Sequence, residues 1–276
     1  WGIIGCGDVT EVKSGPAFDR VRGSRLAAVM RRDGAKARDY AQRHGVPRWY
    51  DSVDGLLADD EVNAVYVATP TSSHCELTLR ALASGRPVLV EKPMAMDAAE
   101  AARMVTAAER VGLPLFVAYY RRALPRFEAL RRLVQGGSLG DLRCIVAQHT
   151  RPGRYAPRQG WKVDPAVNGG GLFVDVQVHT LDWLDHCLGP PTIANGIVRS
   201  LGPGVADDLV SYQLGWDEGH VANGVYCFGA APETETVTIF GTEAAASMSF
   251  FGGREIVLRR ADGGVENLPQ QDPQHI

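Results

Sequence analysis

Hydrophobic and polar positions alternate in blocks along the N-terminal part of the chain. Short apolar runs, WGII (1–4), RLAAVM (25–30), AVYVAT (64–69), PVLVEK (87–92) and PLFVAY (114–119), are separated by stretches of helical spacing at 33–44, 52–58, 73–84 and 97–111. Runs that stay apolar predict strands covered on both faces, and their interleaving with helices predicts a parallel, doubly wound sheet. Near residue 120 the texture changes. A helix over about 125–135 leads to LRCIVAQHT (142–150) and to a helix that starts at the glycines near 169. Then TIANGIVRS, DLVSYQLGW, HVANGVYCF, TETVTIFGT, AAASMSFF and EIVLRR follow at short spacing, with Gly219, Gly252-Gly253 and Asp262-Gly263-Gly264 as turn signals. These predict a mostly antiparallel open sheet. The expected architecture is α/β, with one domain over 1–118 and an α+β domain over 119–276.

With 276 residues and 45% hydrophobic composition, the chain can fill two cores. A formal charge of −3 gives no basic footprint for nucleic acid or a membrane surface, so small molecules are the expected partners. Five cysteines, Cys6, Cys75, Cys144, Cys187 and Cys227, are odd in number and lack the close pairs of zinc sites, which fits a reducing cytoplasm. No apolar stretch approaches the roughly 18–20 residues that span a bilayer, and no leader opens the chain. Trp1 enters directly into a strand and a polar LPQQDPQHI tail closes the sequence, so both ends are expected to be trimmed, the C-terminal one above all.

Four stretches carry chemistry. Gly5-Cys6-Gly7-Asp8-Val9-Thr10 follows the first strand and matches the dinucleotide fingerprint G-x-G-x-x-G/A, with Thr10 in the third small position. Gly5 permits the tight turn, Gly7 lets the backbone approach a pyrophosphate, and the amides at Asp8 and Val9 favour the anion. Thr10 is bulkier than the usual residue, which predicts slightly wider packing of helix on strand. The second strand ends Val29-Met30-Arg31-Arg32, where an acidic residue would select NAD. Arg31 and Arg32 match a 2′-phosphate and point to NADP, with NAD as the alternative cofactor and two solvated loop arginines as the bland reading. Asp33 reads as the N-cap of the next helix. Thr69-Pro70-Thr71-Ser72-Ser73-His74 stands between a strand and a helix, where a cofactor groove is expected; taken without the other motifs, it reads as an ordinary connection capped by Ser72 or Ser73. Lastly, VLVEKPMAMD (88–97) sets Glu91 and Lys92 at the end of a buried strand, and Pro93 stops the ladder. A lysine over that groove can donate to a substrate oxygen and stabilise alkoxide charge; Glu91 can pair with it or turn away.

In the second half, Asp175 and His179 are spaced i, i+4 on one helix face, which Asp182 and His186 continue. The stripe reads as a polar face, as an acid/base pair, or as a metal site. No glutamate or cysteine ligand is grouped with it, so no metal is expected. The glycines Gly169-Gly170-Gly171 let this helix start close to a ligand.

The residues GIIGCG, A-T-P-x-x-x-H, E-K-P and later GGGLFVDVQVH resemble, in order and spacing over nearly the whole chain, the Gfo/Idh/MocA family. Stretches such as VAYYRRALPRF and GWKVDPAV resemble its dihydrodiol dehydrogenase and anhydrofructose reductase-like branch. The resemblance implies a Rossmann domain followed by an α+β domain, and an NAD(P)-dependent oxidoreductase acting on a sugar, polyol or related cyclic compound. It implies a catalytic Lys92 beside the nicotinamide, with Asp175 and His179 completing the constellation. Position alone adds His74 and Glu91 to the cofactor contacts, and Tyr119, Tyr120, Arg121, Trp161 and Lys162 to the substrate contacts. A homodimer or homotetramer through the C-terminal sheet is also implied. The alternative is a dinucleotide-binding regulator or scaffold on the same fold.

Overall fold

The computed structural model describes residues 1–152, 164–200, 206–253 and 255–270. By contacts the described residues fall into two units, one of Trp1–Ala118 with Ala166–Gly169, the other of Tyr119–Pro165 and Gly170 onward.

The first unit is a six-stranded parallel sheet made of β1 (Gly2–Ile4), β2 (Ala28–Met30), β3 (Arg48–Tyr50), β4 (Val65–Val67), β5 (Val88–Val90) and β6 (Leu115–Val117), in the order β3-β2-β1-β4-β5-β6. Its helices are α1 (Asp8–Val12), α2 (Gly34–His44), α3 (Val53–Leu57), α4 (His74–Ala83) and α5 (Ala98–Val111). Successive strand residues enter different cores: Ile3, Val29 and Tyr66 pack with Tyr40 on one face, while Ile4, Val65 and Val67 pack with Leu82 and Met104 on the other. This is why these strands read as unbroken apolar runs. Asp33 caps α2 by accepting from the Lys36 amide at 3.2 Å, and left-handed Gly45 ends it. β3 is absent from the sequence reading because Arg48-Trp49-Tyr50 sits on the sheet edge, with Trp49 exposed, and lacks an apolar run.

The second unit opens with α6 (Pro125–Gln135) and β7 (Leu142–Thr150); a short turn α7 (Pro165–Asn168), most of which belongs by contacts to the first unit, precedes α8 (Leu172–Leu188) of the second. The strands β8 (Ile193–Arg199), β9 (Leu209–Gly215), β10 (Val221–Cys227), β11 (Thr234–Gly241), β12 (Ala244–Met248), β13 (Glu255–Arg260) and β14 (Val265–Pro269) complete an eight-stranded sheet in the order β14-β13-β12-β11-β7-β10-β9-β8. All pairs are antiparallel except β7 with β10. Here the strands alternate. Ile145, Ala147, Val237 and Ile239 turn inward among Phe127, Leu130, Trp183 and Leu184 of α6 and α8. Val146, Val225 and Phe240 lie exposed on the opposite face. β14 is the other strand missing from the sequence reading: its VENLP is polar and again forms an edge.

Candidate active site

In the first unit, four strand ends carry the expected cofactor residues. After β1, Gly5 has φ +95°, and a Cβ there would meet Thr69 Cγ2 at 2.6 Å, so this turn requires glycine. Gly7 is different. Its backbone is extended, and a Cβ would find nothing closer than the Gly5 carbonyl at 3.9 Å. Its bare side faces open space, which fits the close approach of a pyrophosphate. The loop is held from behind by Thr10, fully buried, whose hydroxyl donates to Gly7 O at 2.8 Å and accepts from the Gly7 amide at 3.0 Å. The bulk of Thr10 is thus used for hydrogen bonds. α1 has only five residues, so an anion here meets loop amides and little helix dipole. After β2, Arg31 Nη1 donates to Cys6 O at 3.3 Å, which sets its guanidinium beside the glycine loop, while Arg32 is exposed.

The charges that close β5 have partners. Tyr66 Oη donates to Glu91 Oε1, and the Lys92 amide donates to Glu91 Oε2 at 3.2 Å. The carboxylate therefore turns toward the sheet, and burial, with Glu91 next, pushes the Tyr66 hydroxyl above its ordinary pKa. His74, expected among cofactor contacts, is 1% exposed. Its Nδ1 lies 2.9 Å from Pro93 O and its Nε2 2.8 Å from Thr69 O. A neutral ring donates to one of these carbonyls and an imidazolium to both, while burial disfavours the charge and pushes the pKa down. His74 is buried between the Thr69 loop and the Lys92-Pro93 turn, and its neutral ring ties itself to one of them by donating to that carbonyl. Ser73 does not cap α4 with its side chain: its hydroxyl turns back to Thr69 Oγ1 and Pro70 O, both at 2.8 Å.

In the second unit, α8 presents Asp175 and His179 on one face, one turn apart. It begins at Gly171, where a Cβ would lie 1.7 Å from Ala206 O, so the chain at 206 packs on the helix start. The Gly171 amide donates to Asp207 Oδ2 at 2.9 Å, and Asp207 has φ +53°. His179 is 5% exposed and ringed by Tyr119, Tyr120 and Phe251, with centroids at 6.1, 5.5 and 6.5 Å. Burial, helped by Asp182, pushes the Tyr119 hydroxyl up to about 12. Asp182 is taken by Arg122, whose Nη2 reaches Oδ1 at 2.5 Å. Arg121 is buried, donating to Tyr120 Oη at 2.6 Å and to Phe250 O at 3.3 Å. Among the described residues no three His, Cys, Asp or Glu side chains are grouped as metal ligands, and no helix is long and apolar enough to cross a membrane. Trp161 and Lys162 lie outside the described residues. Phe251 escaped the sequence reading because it stands in no motif and reaches α8 only through the fold.

A family described as the oxidoreductase family with an NAD-binding Rossmann fold matches residues 1–119, and the GFO/IDH/MocA C-terminal domain matches residues 127–247. The chain belongs to the Gfo/Idh/MocA family. It is an oxidoreductase of the NAD(P)-binding kind, with the parallel and mostly antiparallel sheets expected from its sequence. It is 36% identical to Oxidoreductase P35 of Formosa agariphila, over 100% of this chain and 86% of that protein. It is 33% identical to trans-1,2-dihydrobenzene-1,2-diol dehydrogenase of Macaca fascicularis, over 90% of this chain and 73% of that protein. The crystal structure of aldose-aldose oxidoreductase from Caulobacter crescentus complexed with glycerol superposes with a TM-score of 0.86 at 26% identity, over 99% of this chain and 84% of that one.

Proposed function

We propose that this Gfo/Idh/MocA oxidoreductase transfers hydride between NADP and a hydroxyl or carbonyl carbon of a cyclic sugar, polyol or diol. One observation carries the reading: the Gly5–Gly7 turn, Arg31, the Thr69-Pro70 loop and Lys92 stand at the carboxyl ends of β1, β2, β4 and β5, neighbours in one parallel sheet. Open α/β sheets take their ligands there. In this reading Gly7 makes room for the pyrophosphate beside the amides of Asp8 and Val9. Arg31 and Arg32 bind the 2′-phosphate, and Thr69 and Pro70 border the groove. Lys92 donates to the reacting oxygen and lowers the cost of alkoxide charge. His179 exchanges the hydroxyl proton and Asp175 orients the substrate or the ring, since an imidazole nitrogen can both take and return a proton while burial has pushed the Tyr119 hydroxyl up to about 12. When bound, the nicotinamide supplies or accepts the hydride. The names of the relatives, a diol dehydrogenase and an aldose oxidoreductase, favour a ring-shaped polyhydroxy substrate.

Self-association through the eight-stranded sheet belongs to the same reading. On its outer face the row Ile193, Gly215, Val221, Cys144 and Phe240 runs across five strands without a charge. Ile193 and Val221 are 58% and 45% exposed, an apolar patch that suits a homodimer or homotetramer. Five free thiols suit a reducing cytoplasm. The deciding experiment incubates the protein with NADP or NAD and a panel of inositols, aldoses and cyclic diols, reading the absorbance of reduced nicotinamide. Turnover with NADP ahead of NAD is expected, and the double variant Arg31→Ala, Arg32→Ala should narrow that gap. Dinucleotide binding with no turnover on any compound would make the chain a sensor instead.

A further inference from the structure

Three buried or half-buried charges of the second unit are spent on a single loop. Glu235 of β11 accepts from the Phe250 and Phe251 amides at 3.0 and 3.2 Å and from the Ser249 hydroxyl. From the other side Arg126 donates to the carbonyls of Phe250, Gly252 and Gly253 at 3.2, 3.1 and 2.7 Å, and Arg121 donates to Phe250 O. Both arginines are only 8% exposed. Burying charge is costly unless hydrogen bonds compensate it, and here the compensating partners are almost all main-chain atoms of residues 249–253. Phe250 anchors this loop in the core against Phe127 and Trp183. Phe251 is the residue the clamp aims: half-buried, it lies under the Arg121 guanidinium at 4.7 Å, beside His149 at 5.6 Å, and toward His179 at 6.5 Å.

We propose that Phe251 is a specificity-determining wall beside His179, and that Glu235, with Arg121 and Arg126, is its positioning apparatus. The inference rests on the reading of His179 as the proton-exchanging residue. A wall of aromatic carbon accepts only a weak O–H···π contact from a hydroxyl, so desolvating hydroxyls against it is unfavourable, whereas the C–H side of a ring loses nothing. The wall therefore selects pyranoses, inositols and cyclic diols over open-chain polyols, whose hydroxyls turn freely toward it.

The test is saturation-transfer NMR on the whole protein with D-glucose, myo-inositol and a cyclohexanediol as ring probes, and D-sorbitol as the open-chain probe. Aromatic protons are irradiated, and initial rates are measured in parallel. Transfer to ring C–H protons is expected in the parent, falling at least severalfold in Phe251→Leu, with KM for ring compounds rising about tenfold and kcat changing less. The KM for D-sorbitol should hardly move. Glu235→Gln should show the same pattern more weakly, and Glu235→Asp should restore part of it. Absence of transfer to every ring probe in the parent, or transfer unchanged in Phe251→Leu, would overturn the inference. So would a Glu235→Gln that melts earlier yet keeps parental ring binding. Transfer that depends on Phe251 without any turnover would instead uphold the wall and sink the hydride-transfer reading.

Discussion

Three helices of the first unit carry their own N-caps: Asp33 accepts from the Lys36 amide, Ser52 from Gly55 and Asp97 from Glu100, each three residues away. In the second unit the residue that caps α8 is Gly171, which has no side chain, and its amide is taken by Asp207, 36 residues downstream. The same contrast runs through the candidate site residues. In the first unit they follow strand ends in sequence order, and the backbone itself demands the residue type, as at Gly5. In the second, Asp175 and His179 owe their face to helix periodicity, but their surroundings come from residues brought in over long separations. Local logic places the candidate residues of the first unit and long-range packing surrounds those of the second, so the two sets should fail differently when perturbed.

The largest difference is expected in catalysis. If Lys92 has its proposed role, Lys92→Ala removes a donor to the reacting oxygen and nothing from the glycine loop, and should lower turnover by roughly 10³-fold while leaving nucleotide affinity within a few-fold. His179→Asn should cost roughly 10²–10⁴-fold and flatten the dependence of rate on pH. If both serve one reaction, the double variant will be far less impaired than the product of the two losses. Multiplicative losses, or a His179→Asn that keeps the parental rate and pH profile, would assign the proton to another group.

Glycines sharpen the contrast further. Gly171→Ala puts a methyl 1.7 Å from Ala206 O, main chain that cannot rotate away, and should destabilise the protein by about 3 kcal/mol. Gly7→Ala meets open space, so the melting temperature should stay near the parent's while dinucleotide affinity falls. Thermal melts and nucleotide titrations of the two variants check both. Equal melting losses would mean that Gly7, too, is a packing residue.

The same distinction separates what could be read in the sequence from what could not. The alternation of apolar runs and helical stretches located β1, β2, β4, β5 and β6, and α6 falls where its spacing predicts, because each buries a face that its own residues declare. β3 and β14 escaped, since an edge strand is defined by its neighbour and its RWY or VENLP carries no period. The glycine turn and the E-K-P strand end were visible as local requirements. The ties of His74, the turning of Glu91 toward Tyr66 and the clamp on residues 249–253 were not, because every partner but one lies at least 14 residues away, and one lies 129.

Two buried histidines give a smaller effect with a definite sign. Burial brings His149 from 6.5 down to about 4, and the Gln177 side chain, 2.7 Å from its Nδ1, suits a neutral ring that accepts there. The unfolded chain binds the proton near 6.5 and the folded chain only near 4. His149 therefore leaves stability whole above about pH 6.5 and removes about 2–3 kcal/mol as pH falls to 4. His74 of the first unit is lowered in the same direction, but its two carbonyl acceptors oppose burial, so its share should be smaller. Denaturant titrations between pH 7 and 4 should show a clearly flatter pH dependence in His149→Phe than in the parent. An unchanged slope would move the titration to His74.

The smallest effect returns to the caps. Asp97→Ala removes a local acceptor from α5 and should cost about 1 kcal/mol. Asp207→Ala removes the acceptor at α8 and also forces alanine into a left-handed backbone that Asp tolerates better, so about 2 kcal/mol is expected. Asp207→Gly separates the two contributions: glycine adopts φ +53° freely, leaving the lost acceptor alone, and its cost should fall back to about that of Asp97→Ala. Hydrogen exchange locates the damage, with faster exchange at the Gly171–Asp175 amides in both Asp207 variants and at the start of α5 in Asp97→Ala. If Asp207→Gly is as stable as the parent and protects those amides equally, the distant carboxylate adds nothing. The start of α8 would then be held by the packing of Gly171 on Ala206 alone.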